Sequence, residues 1–302
     1  MRFYKLDLNL LVVFDVLLSE KSVVRAAERL NLTQPAISNS LAKLREHFED
    51  DLFVRSGRRM MPTHLASSMQ EPVRRVLLEL QSIVELRPNF DPGTASRTFT
   101  IAASDYASVT FLSEVARKLR KVAPEITIRV LPLTNANITL FDRGDIDLAL
   151  LPASMVVEDQ PSKELFTETY TCIASRDNSS VGSHIDLSGY LDRVHVVAAI
   201  DTNERLIAHD EVFLQRMGHK RKVAVVTHGF SQPPYFIVGT PYLATVHVRL
   251  AKQAAKALPL KIVKPDFEFP VVALMLQWHA ARSGDAANSW LRTFIQDCAA
   301  KH

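Results

Sequence analysis

The chain has 302 residues, 47% hydrophobic and 23% charged, a composition that excludes long disorder and fits two or three globular domains. Thirty-six Lys and Arg against thirty-three Asp and Glu leave a formal charge of +3, so a nucleic-acid partner has to be met locally and not over most of the surface. Apolar runs fall far below the ~20 residues that span a bilayer, no secretory signal opens the chain, and Cys172 and Cys298 are too few for a disulfide framework, which points to a cytoplasmic protein with no membrane partner.

Residues 7–18 place Leu10, Leu11, Phe14, Leu17 and Leu18 at helical spacing, with Asp7 as candidate N-cap. Residues 22–30 repeat the pattern with Val23, Ala26, Ala27 and Leu30, opened by Ser22. Thr33 caps a third helix with Pro35 in its first turn, where the missing N–H costs little. That helix carries Ile37, Leu41, Leu44 and Phe48 on one face and Gln34, Ser38, Asn39 and Lys43 towards the other. Two short helices joined by a tight turn, with alanines at their contact, read as a helix-turn-helix whose second helix enters the DNA major groove. Gln34 has the donor and acceptor pair that matches adenine, while Ser22, Thr33, Pro35, Ser38, Asn39 and Lys43 stand around it for phosphate or base contact. Residues 52–60 then give a β-like run, a turn and a basic tip, Arg55, Arg58 and Arg59, with no acid among them. This reads as a wing that neutralises phosphates beside the duplex.

Enzyme chemistry is not called for. The nine glycines form neither G-x-G-x-x-G, a phosphate loop nor G-x-S-x-G, and the ten histidines include no H-E-x-x-H pair, so no catalytic residue, metal ligand or cofactor is nominated. Asp145 and Asp147 read either as paired carboxylates or as a polar loop entering a buried strand, and the second reading is preferred.

Leu8-Asn9-Leu10-Leu11, Ala26-Ala27-Glu28-Arg29-Leu30, Thr33-Gln34-Pro35-Ala36-Ile37-Ser38, Leu44-Arg45, Leu52-Phe53-Val54-Arg55 and Pro62-Thr63 together resemble the winged helix-turn-helix of LysR-type transcriptional regulators. The Leu44-Arg45 pair is similar to that of the branch of nodulation and aromatic-degradation regulators. Asp51 departs from the pattern, standing where proline is usual before Leu-Phe.

Over residues 63–86, Met69, Val73, Val76, Leu80 and Ile83 recur at coiled-coil steps. The stripe packs either on a second protomer or on its own domain, and the resemblance implies a linker helix pairing two protomers. Pro72 either kinks this helix or marks its start. Turn residues over 88–96 mark a hinge. Beyond it, strand-like segments (99–102, 126–130, 146–151, 170–174, 194–200, 222–227, 242–248 and 271–278) alternate with helical ones (109–121, 137–143 and 285–300, the last with Trp290, Phe294 and Ile295 inward). That rhythm predicts open α/β sheets.

The expected fold is thus α/β overall. Residues 1–62 form the winged helix-turn-helix, 63–87 the linker helix and 88–96 the hinge. Residues 97–302 form an effector-binding domain of two α/β subdomains, I over 97–165 and 265–302 and II over 166–264. The resemblance implies that this domain is of periplasmic-binding-protein type, with the chain crossing near 152–168 and 262–269.

Ligands in such sheets sit beyond the carboxyl ends of strands, which nominates Ser104, Asp105, Thr134, Pro152, Ile200, Thr202, His228 and Phe230 as effector-binding or, alternatively, as caps and turn residues. Hydroxyls and helix N–H groups there suit a carboxylate or phenol oxygen, and Phe230 suits a ring. Two more departures from the family flank this cleft: Pro233 and Pro234 where a helix begins, and His247 in place of a proline. The partners expected are promoter double-stranded DNA, a small and possibly aromatic organic effector, and further copies of the chain as dimer and tetramer. The competing reading is a small-molecule binding protein or enzyme whose N-terminal module serves only assembly.

Overall fold

The computed structural model describes residues 6–56, 59–84, 90–198 and 209–301. The chain divides into two compact units, Met1–Leu86 and Arg87–His302.

In the first unit, α1 (Asn9–Glu20), α2 (Val23–Leu30) and α3 (Gln34–Phe48) bury Phe14, Leu17, Ala26, Ile37 and Leu44 completely. Ser22 and Thr33 cap α2 and α3, each side chain accepting the N–H three residues on, from Arg25 and Ala36. Asp7 acts one place earlier than expected: Leu8 is the N-cap residue, and Asp7 takes the Asn9 N–H at 2.9 Å from outside the helix. The wing is an antiparallel pair, β1 (Phe53–Ser56) with β2 (Arg59–Pro62), in the register Ser56 opposite Arg59. Met60 N–H donates to the Lys21 carbonyl at 3.2 Å, tying the wing to the turn after α1.

Then α4 (His64–Val84) runs as one helix with Pro72 inside it, so Pro72 does not mark its start. The expected seam is split. Met69 and Val73 pack on the core of their own unit together with Leu65, Ala66 and Leu77, whereas Val76 and Ile83 are exposed. The shared inward row runs at helical steps that a single stripe of heptads did not reveal.

The second unit has two mixed sheets. In the first, β3 (Arg97–Ala103) lies between and parallel to β4 (Ile126–Pro132) and β5 (Leu148–Pro152). Between β3 and β4 lie α5 (Asp105–Ala107), a π-helical turn (Ser108–Leu112) and α6 (Ser113–Val122), and α7 (Asn135–Asp142) precedes β5. This helical run begins at the Ser104 cap, earlier than the periodicity over 109–121 indicates. β6 (Ser162–Glu168) closes the far edge and was not foreseen, because three of its seven residues in a row, Ser162, Lys163 and Glu164, are exposed and polar.

Thr169 alone then separates β6 from β7 (Tyr170–Ser175) of the second sheet, so the crossing expected over 152–168 is confined to one residue, and Phe166–Glu168 lie in the first sheet. The second sheet continues with β8 (His184–Ile185), α8 (Leu187–Asp192), β9 (Val194–Ala198), α9 (His209–Arg216) and β10 (Lys222–Thr227). It ends with α10 (Pro233–Ile237), β11 (Leu243–His247), α11 (Val248–Ala257) and β12 (Leu260–Pro265). Its order is β10-β9-β11-β7-β12-β8, with β7 antiparallel to both neighbours. Pro233 and Pro234 occupy the first turn of α10, the one place a helix tolerates them. The chain returns to the first sheet as β13 (Val272–Gln277), antiparallel between β5 and β6, and ends in α12 (Ala286–Ala299). Within α12, Ile295 is fully buried while Trp290 and Phe294 are half-buried and stacked on each other.

Asp147 is structural. Its carboxylate accepts the Thr100 N–H at 2.8 Å and pairs with Arg97 and Arg282, and Asp285 pairs with Arg97 at 2.7 Å. Asp145 stands 4.0 Å from Arg143 in the approach to β5, so the two carboxylates are not a catalytic pair.

Candidate nucleic-acid interface and effector cleft

The polar row of α3 faces solvent. Thr33, Gln34, Pro35, Ser38, Asn39 and Lys43 are all exposed, whereas Ile37, Leu41 and Leu44 turn inward. Among the described residues, no hydrogen bond engages the side chains of Gln34, Ser38, Asn39 or Lys43. The caps do not use up Ser22 and Thr33, because an N-cap oxygen only accepts; each O–H proton stays available to a phosphate.

Arg55 and Arg59 lie on the two wing strands, but their side chains and all of Arg58 fall outside the described residues. What sequence reading missed is how the wing is fixed. Arg45 donates to the carbonyls of Asp51 and Phe53 at 2.7 and 2.8 Å, and Asp50 Oδ1 accepts both the Leu52 N–H (2.6 Å) and the Thr63 hydroxyl (2.7 Å). Leu52, fully buried at φ 55°, needs that support, since a branched residue in the left-handed region is strained. Asp51 in the usual proline position contributes its carbonyl, which any residue supplies.

In the second unit, Ser104, Thr134, Pro152 and His228 stand at or just beyond the carboxyl ends of β3, β4, β5 and β10. Ser104 and Thr134 each cap the helix that follows, accepting from Ala107 and Asn137. Pro152 ends β5 half-buried, and His228 is exposed. Ile200 and Thr202 fall outside the described residues. Two nominated residues meet directly: Asp105 Oδ1 accepts the Phe230 N–H at 3.0 Å, and Oδ2 accepts the Ser231 N–H and hydroxyl at 2.8 and 2.6 Å. Asp105 belongs to the first lobe and Phe230 and Ser231 to the second, so the contact bridges the lobes.

Behind that bridge lies an aromatic cluster that the residue pattern did not disclose. His247 stacks on Tyr106 (ring centroids 4.0 Å apart, planes at 25°), with Tyr170 at 4.5 Å and the edge of Phe230 at 5.9 Å. Tyr106 donates its hydroxyl to Glu168 at 2.5 Å, and Arg249 pairs with the same carboxylate at 2.9 Å. Burial, with Glu168 adding to it, pushes the Tyr106 phenol far up, so it stays a donor. A proline in place of His247 could not stack in this way, which makes the departure a packing element of the crossing region. Alongside, Thr110, Glu168, Arg249, Lys252 and Lys256 border a cavity of about 660 Å³.

Cys172 and Cys298 are free and buried, and burial pushes the Cys172 thiol up to about 12, which leaves it unreactive. No group of metal-ligating side chains occurs among the described residues, and no described helix is long and apolar enough to cross a membrane.

Known proteins resemble this chain over its whole length. The family model for the bacterial regulatory helix-turn-helix protein, lysR family, matches residues 8–67, and that for the LysR substrate binding domain matches residues 92–300. Nodulation protein D 1 of Bradyrhizobium sp. (strain NC92) is 35% identical over 98% of this chain and 94% of its own. Nodulation protein D 2 of Rhizobium tropici is 37% identical over 98% and 93%. The crystal structure of the probable transcriptional regulator PA0477 from Pseudomonas aeruginosa aligns at 30% identity with a TM-score of 0.64, over 97% of both chains.

Proposed function

The chain belongs to the LysR family, as a transcriptional regulator with a helix-turn-helix DNA-binding domain and an effector-binding domain, and from that premise we propose how its residues share the work. The family is one of regulators, not enzymes; its members bind promoter DNA and small-molecule effectors and form oligomers. In this chain, Gln34 and Ser38 read base edges, with Asn39 and Lys43 beside them. Ser22, Thr33 and the wing arginines Arg55, Arg58 and Arg59 hold phosphates. The observation that carries the reading is the exposed polar row of α3, in which the side chains of Gln34, Ser38, Asn39 and Lys43 have no hydrogen bond among the described residues.

Residues 1–62 act as the DNA reader, 63–87 as the linker and 97–302 as the sensor. Val76 and Ile83, the part of the seam left exposed on α4, support pairing of two protomers and, through them, a dimer or tetramer in the cytoplasm. A small organic effector, aromatic in character, binds in the cleft near Ser104, Thr134, Pro152, Ile200, Thr202, His228 and Phe230. It alters the grip on DNA to the extent that it binds one conformation better than another.

The experiment is a gel shift with DNA from upstream of the chain's own gene against random DNA at stated salt, paired with sedimentation. Preference for the upstream DNA by a dimer or larger species is expected. Equal affinity for both DNAs, or a monomer at micromolar concentration, refutes the corresponding part.

A further inference from the structure

Asp105 places a carboxylate from the first lobe inside a ring of donors that belongs to the second. The Phe230 N–H, the Ser231 N–H and the Ser231 hydroxyl converge on it at 3.0, 2.8 and 2.6 Å. Two successive backbone N–H groups with a hydroxyl beside them form an anion-binding nest. The turn is shaped to let the carboxylate in: a Cβ on Gly229 would stand 2.5 Å from Asp105 Oδ2 and 3.1 Å from its Cγ. Arg249, which borders the same region, is already paired with Glu168 at 2.9 Å.

We propose that Asp105 sets the charge of the effector. It fills the nest from within, so a ligand bearing a carboxylate has to displace it against like-charge repulsion, whereas a ligand whose approaching end is uncharged does not. Of the carboxylate or phenol oxygen expected at the hydroxyls and N–H groups of this cleft, the carboxylate is thereby disfavoured here. This inference rests on the reading that the cleft takes an effector. The same three hydrogen bonds hold the lobes together, so the nest can be probed through stability alone.

The test uses the full chain with acetate, which carries the carboxylate of an aspartate, and acetamide, which has its shape without the charge. Thermal unfolding is followed at Trp278 and Trp290, both in the second unit. Asp105→Ala lowers the midpoint by roughly 5 °C. Acetate restores at least half of that loss in a saturable way, and acetamide or chloride at equal concentration does not. The native chain does not respond to acetate, because its nest is full. Adding Gly229→Ala to Asp105→Ala abolishes the rescue, since the new Cβ takes the place of the carboxylate.

An acetate response as large in the native chain as in Asp105→Ala, or rescue by acetamide as strong as by acetate, overturns the proposal. Asp105→Asn keeps the volume and covers the case in which the alanine variant does not fold; a midpoint equal to that of the native chain shows a nest indifferent to charge and overturns the proposal too. These midpoints report on the nest whether or not an effector exists. A promoter assay in which no small molecule alters DNA binding removes the effector reading and leaves the role of Asp105 in the nest standing.

Discussion

Arg74, midway along α4, reaches the carboxylate of Asp15 on α1 at 2.6 Å, with side chains only 13% and 6% exposed. The pair fixes the long helix to the helix-turn-helix and lies one residue beyond Val73, which packs on the same core. Removing one partner leaves the other charge shielded from water, so Arg74→Ala costs the first unit about 3 kcal/mol. Both tryptophans lie in the second unit. The loss therefore lowers the denaturation midpoint read by far-UV circular dichroism and leaves that read by tryptophan fluorescence in place. Coincident shifts in both signals would contradict this assignment.

The roles proposed for Gln34 and Arg55 separate base reading from phosphate holding. Gln34→Ala weakens binding to the specific promoter by about 1–3 kcal/mol and leaves random DNA nearly untouched. Arg55→Ala weakens both alike and lowers the slope of log affinity against log salt by about 1. Titrations at several salt concentrations measure both effects. Equal losses for Gln34→Ala on the two DNAs, or an unchanged slope for Arg55→Ala, would refute the roles.

Asp50 never approaches a duplex in this scheme, yet it holds the root of the wing. Asp50→Ala removes the acceptor for Leu52 N–H and the Thr63 hydroxyl, at a cost of about 1–2 kcal/mol. With the root of the wing released, affinity falls on specific and random DNA to the same degree. A loss confined to the specific sequence would show instead that Asp50 acts through α3.

The second unit weakens in acid through a histidine. His195 is fully buried with Nε2 2.7 Å from the Tyr190 carbonyl, and burial pushes its pKa down to about 4 from 6.5. The unfolded chain therefore binds the proton first. Stability is complete above about pH 6.5, is lost as pH falls towards 4, and the loss totals about 3 kcal/mol. Asp285 opens a lower window. Burial by itself would raise its pKa, but the hydrogen bonds from Arg97 and the Asn288 N–H outweigh that, so its stabilisation disappears only below the ordinary carboxylate range. Denaturant midpoints at Trp278 and Trp290 across pH 4–7 check the histidine window, and in His195→Gln the slope over that range should flatten.

Local signals wrote the first unit almost entirely. Ser22, Thr33 and Pro35 mark helix starts whatever lies elsewhere, and the three-four spacing of Ile37, Leu41 and Leu44 fixes which face of α3 is free. Reading failed where the deciding partner is remote or has no residue signature. Asp105 reads equally as a ligand contact or as a cap or turn residue, and its acceptors are met by backbone N–H groups more than a hundred positions on, which any residue except proline offers. Met69 and Val73 fitted a heptad seam equally well as an inward row, and only α1 beside them decides the matter. β6 joins its sheet through β13 and carries little apolar pattern of its own.

That last pairing governs the order in which the molecule can be completed during synthesis. Every strand of the second lobe, from Tyr170 to Pro265, has been made before Val272 emerges. The first lobe begins at Arg97, yet β5 and β6 remain without the strand that joins them until β13 arrives. A nascent chain halted at Pro265 thus carries one sheet with all its described strands and, in the other, two open edges that the finished sheet lacks. The lobe started first is finished last, and for that interval its unpaired strands are the part of the chain most in need of protection from other chains.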